Sequence, residues 1–230
     1  MKKTIIIIVG LLFIGCSKSA PELLDLAQSS LDQNEEDKAI KNLDLLIKKY
    51  PKDTLASLAQ YKLVNIYKNW KHDPQMVSMA LKNTIDNYPG SVQAKQASKE
   101  LDAFPEWVIN KSETLRKRKL TNESISNLIY IVKKYPDHEL APKAQYIIGD
   151  IYMNDLRDFE KALEEYKVVL NTYKGSKEEA LAQFMTGYIY ANVLKDFDKA
   201  RREYQVFLDR FPKHELSPSV KFEIDYFFKF

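Results

Sequence analysis

The sequence predicts an all-α fold, an α-solenoid of about five helix-turn-helix units closed by a C-terminal capping helix. Three observations carry this reading. An aromatic residue ahead of a turn recurs as Tyr50-Pro51, Tyr88-Pro89, Tyr135-Pro136, Tyr173-Lys174 and Phe211-Pro212, at intervals of 38, 47, 38 and 38 residues. Other positions recur in phase with it. Ala39, Ala162 and Ala200 stand eleven before the aromatic, and Ala59, Ala97, Ala144 and Ala182 nine after it. Tyr61, Tyr146, Phe184 and Phe222 stand eleven after it, and Tyr67, Tyr152, Tyr190 and Phe228 seventeen after it. Between these landmarks apolar residues follow helical spacing. A fixed period of this length is the signature of stacked supersecondary units. Only 6 Gly and 9 Pro in 230 residues argue against a turn-rich β chain.

Each unit reads as two helices. Ala39, Ile40, Leu43, Leu46, Ile47 and Tyr50 form one apolar stripe, as do Leu140, Ala144, Ile147 and Ile151, and Phe159, Ala162, Leu163, Tyr166, Val169, Leu170 and Tyr173. Proline after the aromatic ends the second helix, because it lacks an N–H and disfavours helix in the residue before it. Asp158 and Asp196 are placed to cap the following second helices, and Ser176 with Glu179 has capping-box spacing. The recurring Ala, with Gly149 and Gly187, lets helices approach closely while aromatics fill the wider gaps.

The second interval is nine residues longer than the others. This places an irregular insertion, an extra or extended helix, at 101–120, between N-terminal repeats over 22–100 and C-terminal repeats with the capping helix over 121–230. The insertion holds Phe104-Pro105-Glu106-Trp107 and the basic run Arg116-Lys117-Arg118-Lys119. That run is either a partner or headgroup contact or a solvated helix face. Trp107 reads as core rather than as a binding hot spot.

The N-terminus reads as an address. Lys2 and Lys3 precede an apolar run from Ile5 to Ile14, which as a helix spans about 15 Å, half of a bilayer core. Residues 1–15 therefore read as a secretion signal. The run ends Phe13-Ile14-Gly15-Cys16, which resembles the lipobox of bacterial lipoproteins. That resemblance implies diacylglycerol and an N-acyl chain on Cys16 and a short tether over 16–21. By the same resemblance Ser17 favours the outer membrane. An ordinary signal peptide, or an uncleaved buried helix, is the alternative. With one Cys there is no intrachain disulfide and no thiolate zinc cage. Cleavage removes two lysines and no acid, taking the formal charge from +3 to +1. That balance offers no global field for nucleic acid or an anionic membrane.

The sequence shows no catalytic constellation. It has no glycine-rich phosphate loop, nucleophile elbow or HExxH. The three histidines are His72, His138 and His214. The last two sit in matching phrases two repeats apart, so repetition explains them better than a shared metal. The reading is of a non-enzyme with no metal, no cofactor beyond the lipid on Cys16, and no small-molecule substrate.

Gly149, Tyr152, Ala162 and Tyr166, and again Gly187, Tyr190, Ala200 and Tyr204, resemble the tetratricopeptide repeat, whose period is about 34 residues. Here three extra residues fall between the proline and the next Gly position, and one falls in the turn before Ala162. The resemblance implies a right-handed superhelix whose concave face, lined by first helices, binds extended peptides or partner helices. Motif alignment puts Tyr61, Asn65, Lys68, Tyr146, Asp150, Phe184, Tyr188 and Phe222 on that face. The aromatic column of Tyr61, Tyr146, Phe184 and Phe222 is either groove or inter-repeat core. In the version that clamps chaperone tails a lysine stands where Tyr61 does, which disfavours that ligand class. The aromatic C-terminus, with Phe222, Tyr226 and Phe228, is either a docking patch or a cap in which Phe222 and Phe228 cover the fifth repeat.

Lipobox, short tether and five such repeats together resemble the BamD family, outer-membrane lipoproteins of the β-barrel assembly machinery. The resemblance implies a lipid-anchored, periplasm-facing interaction scaffold whose partners are other envelope proteins, among them a barrel insertase and its lipoproteins. The regular C-terminal tandem equally resembles the repeat domain of the CpoB (YbgF) family, a Tol–Pal partner. A pilotin-like escort for secretin or pilus subunits is a third possibility.

Overall fold

Residues 18–227, those described by the computed structural model, form twelve α-helices joined by short turns. The signal segment, Cys16 and Phe228 lie outside the described residues. In chain order the helices are α1 (Ala20–Asp32), α2 (Glu36–Lys49), α3 (Thr54–Ile66), α4 (Pro74–Asn87), α5 (Val92–Asp102), α6 (Phe104–Lys117), α7 (Thr121–Lys134), α8 (Ala141–Ile151), α9 (Phe159–Thr172), α10 (Lys177–Tyr188), α11 (Phe197–Arg210) and α12 (Ser217–Phe227). No strand occurs among the described residues. The fold is thus the all-α solenoid class that the period predicts.

Two compact units meet between Lys99 and Glu100, inside α5. In the first, α1 packs on α2 and α3 on α4. In the second, α6 packs on α7, α8 on α9 and α10 on α11, and α12 closes on α11. These are five hairpins and a closing helix. The long second interval holds three helices instead of two. α5 stands where a first helix is due after Tyr88-Pro89, and α6 is the additional helix that pairs with α7.

The turns repeat almost angle for angle. The aromatic that ends each second helix has φ/ψ of −126/52 at Tyr50, −130/49 at Tyr88, −133/50 at Tyr135, −112/46 at Tyr173 and −126/49 at Phe211. Its carbonyl accepts the N–H of the residue three on: Asp53, Ser91, His138, Ser176 or His214. In four of the five its side chain also accepts an N–H from the segment that leads into the next helix. Asp53 accepts from the Leu55 N–H and Ser91 from that of Ala94, while His138 and His214 accept at Nδ1 from Leu140 and Leu216. The matched histidines brace the turns ahead of α8 and α12. Ser176 departs from its predicted capping box. Its hydroxyl makes no cap, because the Glu179 carboxylate turns to the Gly175 N–H at 2.7 Å and pairs with Arg210. Gly175 has φ +83, so a side chain there is strained.

At the other end of the hairpins, α3, α8 and α10 run on into π-helical turns at Tyr67–Lys71, Tyr152–Leu156 and Ile189–Leu194. Each ends on a left-handed residue, His72, Arg157 or Lys195, followed by an aspartate, Asp73, Asp158 or Asp196, that caps the second helix. The wider π turn houses the extra turn residue that separates this repeat from the 34-residue form.

The recurring alanines are the axis of the packing. Ala39, Ala59, Ala97, Ala144, Ala162, Ala182 and Ala200 are all fully buried. Tyr166 and Tyr204 are fully buried too. They lie over Gly149 and Gly187, where an added Cβ would sit 2.7 Å and 2.5 Å from the ring carbons.

Candidate partner-binding surface

In the first unit, α1 and α3 lie side by side and leave a groove of about 320 Å³. It is lined by Gln28 and Asp32 of α1, Lys62 and Asn65 of α3, and Asn69 and Trp70 of the following π turn. The side chains are braced: Lys62 donates to Gln28 at 3.0 Å, and Gln28 donates to Asp32 at 3.0 Å. Asn65 and Asn69 are one helical turn apart and exposed, so they share a face. Trp70 is 40% exposed beside them. Amides and an ammonium suit the carbonyls of an extended chain, and a half-open indole suits one apolar side chain.

Of the eight predicted groove residues, Asn65 lines this groove. Tyr61 and Lys68 are on the same helical run, half-buried, and do not line it. Gln28, Lys62, Asn69 and Trp70 are the residues that sequence reasoning missed. The repeat of Asn65 and Asn69 around one helix face was the available signal. The pairing of α1 with α3 was not visible in the chain.

In the second unit the predicted residues divide. Tyr146 is half-buried against the Tyr166 ring, with centroids 5.4 Å apart. Burial pushes its hydroxyl up to about 12, helped by the negative charges of Asp150 and Glu178. Phe184 packs on Tyr188, Tyr204 and Phe207 at 6.1–6.4 Å. Tyr146 and Phe184 therefore sit at the seam between a first helix and its own second helix. Phe222 is 66% exposed and stacks on Tyr226 at 5.9 Å and 15°. The reason is positional: α9 and α11 cover Tyr146 and Phe184, and no described helix follows α12. Val220 and Ile224, not Phe222, close the last hairpin, so the half of the predicted cap that falls on Phe222 is not formed.

Asp150 is committed to structure. Arg116 donates to it at 2.6 Å and also pairs with Asp155, which fastens α6 to α8 and its π turn. Asn154 donates to the other Asp150 oxygen at 2.6 Å. The first member of the basic run is thus a clamp, while Lys117, Arg118 and Lys119 are exposed. Trp107 is half-buried against Phe104, itself buried beside Tyr130 and Tyr135. Among the described residues no His, Cys, Asp and Glu group could hold a metal ion, and no helix is long and apolar enough to cross a membrane.

The family model described as YfiO, outer membrane lipoprotein, matches residues 17–155, more than half of the chain. The chain belongs to this family. Its members are the BamD-like lipoproteins that the lipobox and repeats resemble. A tetratricopeptide-repeat model matches 143–176 and 181–214, the α8–α9 and α10–α11 hairpins. Family and repeat make the chain a protein-interaction scaffold. No curated protein matches it at a significant level. Among solved structures it is similar to a tetratricopeptide repeat protein from Parabacteroides merdae, at 13% identity over 91% of this chain and 73% of that one, with a TM-score of 0.39.

Proposed function

We propose that the chain is a lipid-anchored scaffold at the periplasmic face of the outer membrane that assists β-barrel protein assembly. The observation that carries this reading is the YfiO match over 17–155, which takes in the described part of the first unit and its groove. Cys16 carries the diacylglycerol and N-acyl chain. Gln28, Lys62, Asn65 and Asn69 hold an extended partner segment by its backbone, and Trp70 takes one apolar side chain. The exposed Phe222 with Tyr226 gives the last helix a second, apolar contact. The reading needs no cofactor and no catalytic step.

Affinity purification of the full chain from detergent-solubilised envelope tests it. A barrel insertase should be recovered, and less of it with Trp70→Ala. Recovery of Tol–Pal or pilus components alone would defeat the assignment.

A further inference from the structure

The start of the described chain is fastened down. The Lys18 carbonyl accepts from the Tyr50 hydroxyl at 2.7 Å and from Lys49 Nζ at 3.2 Å. Ser19 then opens α1 with a capping box, in which its N–H donates to Glu22 at 2.7 Å. Cys16 is two residues before Lys18, and a fully extended chain covers at most about 3.6 Å per residue. An acyl group on Cys16 therefore starts within about 7 Å of Lys18. It starts beside the edge where α2 ends and α3 begins. The π-turn edge of the same unit lies a helix length away, about 20 Å at 1.5 Å per residue.

The near edge has interfacial chemistry. Lys18, Lys48, Lys49 and Lys52 are exposed there. Glu22, Asp53 and Asp86 lie at the same edge and stay charged, Glu22 accepting from the Ser19 N–H and Asp53 from the Leu55 N–H, so the four lysines are partly offset. Val92, at the start of α5 beyond the Tyr88 turn, is 77% exposed. Exposed Pro51 and Pro89 flank an open cleft lined by Lys52 and Tyr88. Lysines interspersed with small apolar residues are what a phospholipid headgroup layer accepts.

We infer that the Tyr50–Asp53 and Tyr88–Val92 turn edge of the first unit lies against the anionic headgroups of the membrane that holds the Cys16 lipid. The lysines meet lipid phosphates and Val92 dips among the headgroups. The contact sets which end of the first unit faces the bilayer and leaves the Asn69–Trp70 end of the groove turned away from it. This rests on the Cys16 anchor of the proposed function.

The test uses the full chain in phosphatidylethanolamine and phosphatidylglycerol vesicles that contain a headgroup quencher. Acylation occupies Cys16, so Val92→Cys or Lys38→Cys supplies one site for a fluorophore. Quenching should be several-fold stronger at 92 than at 38, and Lys48→Gln with Lys52→Gln should reduce that difference. Equal or reversed quenching on chains whose Cys16 is acylated by mass spectrometry would overturn the inference and leave the anchor standing. Quenching indifferent to the two lysine substitutions would overturn the headgroup contact. An unmodified Cys16 would overturn the anchor, and this inference with it.

Discussion

Gly187 of α10 lies directly beneath the ring of Tyr204 in α11, and Gly149 of α8 beneath Tyr166 in α9. The two contacts are one 38-residue period apart and nearly superimposable in kind. A Cβ at 187 would fall 2.5 Å from two ring carbons, closer than side chains approach. The tyrosine is fully buried and has nowhere to move. Gly187→Ala should therefore cost about 1–3 kcal/mol. Urea midpoints check this. Gly187→Ala combined with Tyr204→Leu should lose less than the sum of the two single variants, because the smaller side chain relieves the overlap.

Arg116 holds two aspartates from one neighbouring helix and its turn. Its side chain is 25% exposed, and those of Asp150 and Asp155 are 25% and 19% exposed. Removing the guanidinium leaves two half-buried carboxylates facing one another. Arg116→Ala should destabilise the second unit by about 2 kcal/mol, less than a fully buried pair would cost. Arg116→Lys should recover only part of this, since a lysine cannot reach both acids with one fork. Denaturant unfolding of the two variants and the parent decides it.

Tyr146 makes an alkaline prediction. Its hydroxyl is raised from 10.0 to about 12, chiefly by burial. A group raised on folding contributes stability that is fully present below its unfolded value and is lost as pH climbs through the folded value. Stability should then fall between pH 10 and 12, and Tyr146→Phe should fall less steeply across that window. Absorbance at the phenolate band should lose one late-titrating tyrosine in the variant.

The repeat was legible because it is local chemistry written five times. The buried alanines, the caps at Asp158 and Asp196, and the glycine–tyrosine contacts all follow from residues at fixed offsets. What stayed hidden depends on partners far along the chain. Ser176 and Glu179 have capping-box spacing, but Arg210 is 31 residues away and draws the carboxylate off. Arg116 and Asp150 are 34 residues apart. The groove joins Gln28 to Lys62 across the same distance, so only Asn65 of its lining was named in advance. Phe222 shares its repeat position with Tyr146 and Phe184. Its exposure follows from what the chain lacks after α12 among the described residues, not from anything in its own neighbourhood.

Trp70 is 40% exposed, so Trp70→Ala should cost about 1–3 kcal/mol of stability and leave the chain folded. The same change should weaken a synthetic strand peptide from an outer-membrane barrel at least about tenfold, which is about 1.4 kcal/mol. Fluorescence anisotropy of the labelled peptide against the full chain measures both affinities.

The central claim is that the first unit grips other envelope polypeptides through the α1–α3 groove. A photoreactive amino acid at position 69, in cells that depend on the full-length chain, tests it most directly. The account predicts adducts with a barrel precursor or its insertase, and none from the same probe at Lys41, on the exposed outer part of α2. Adducts of equal yield at both positions, or only with Tol–Pal or pilus components, would contradict it.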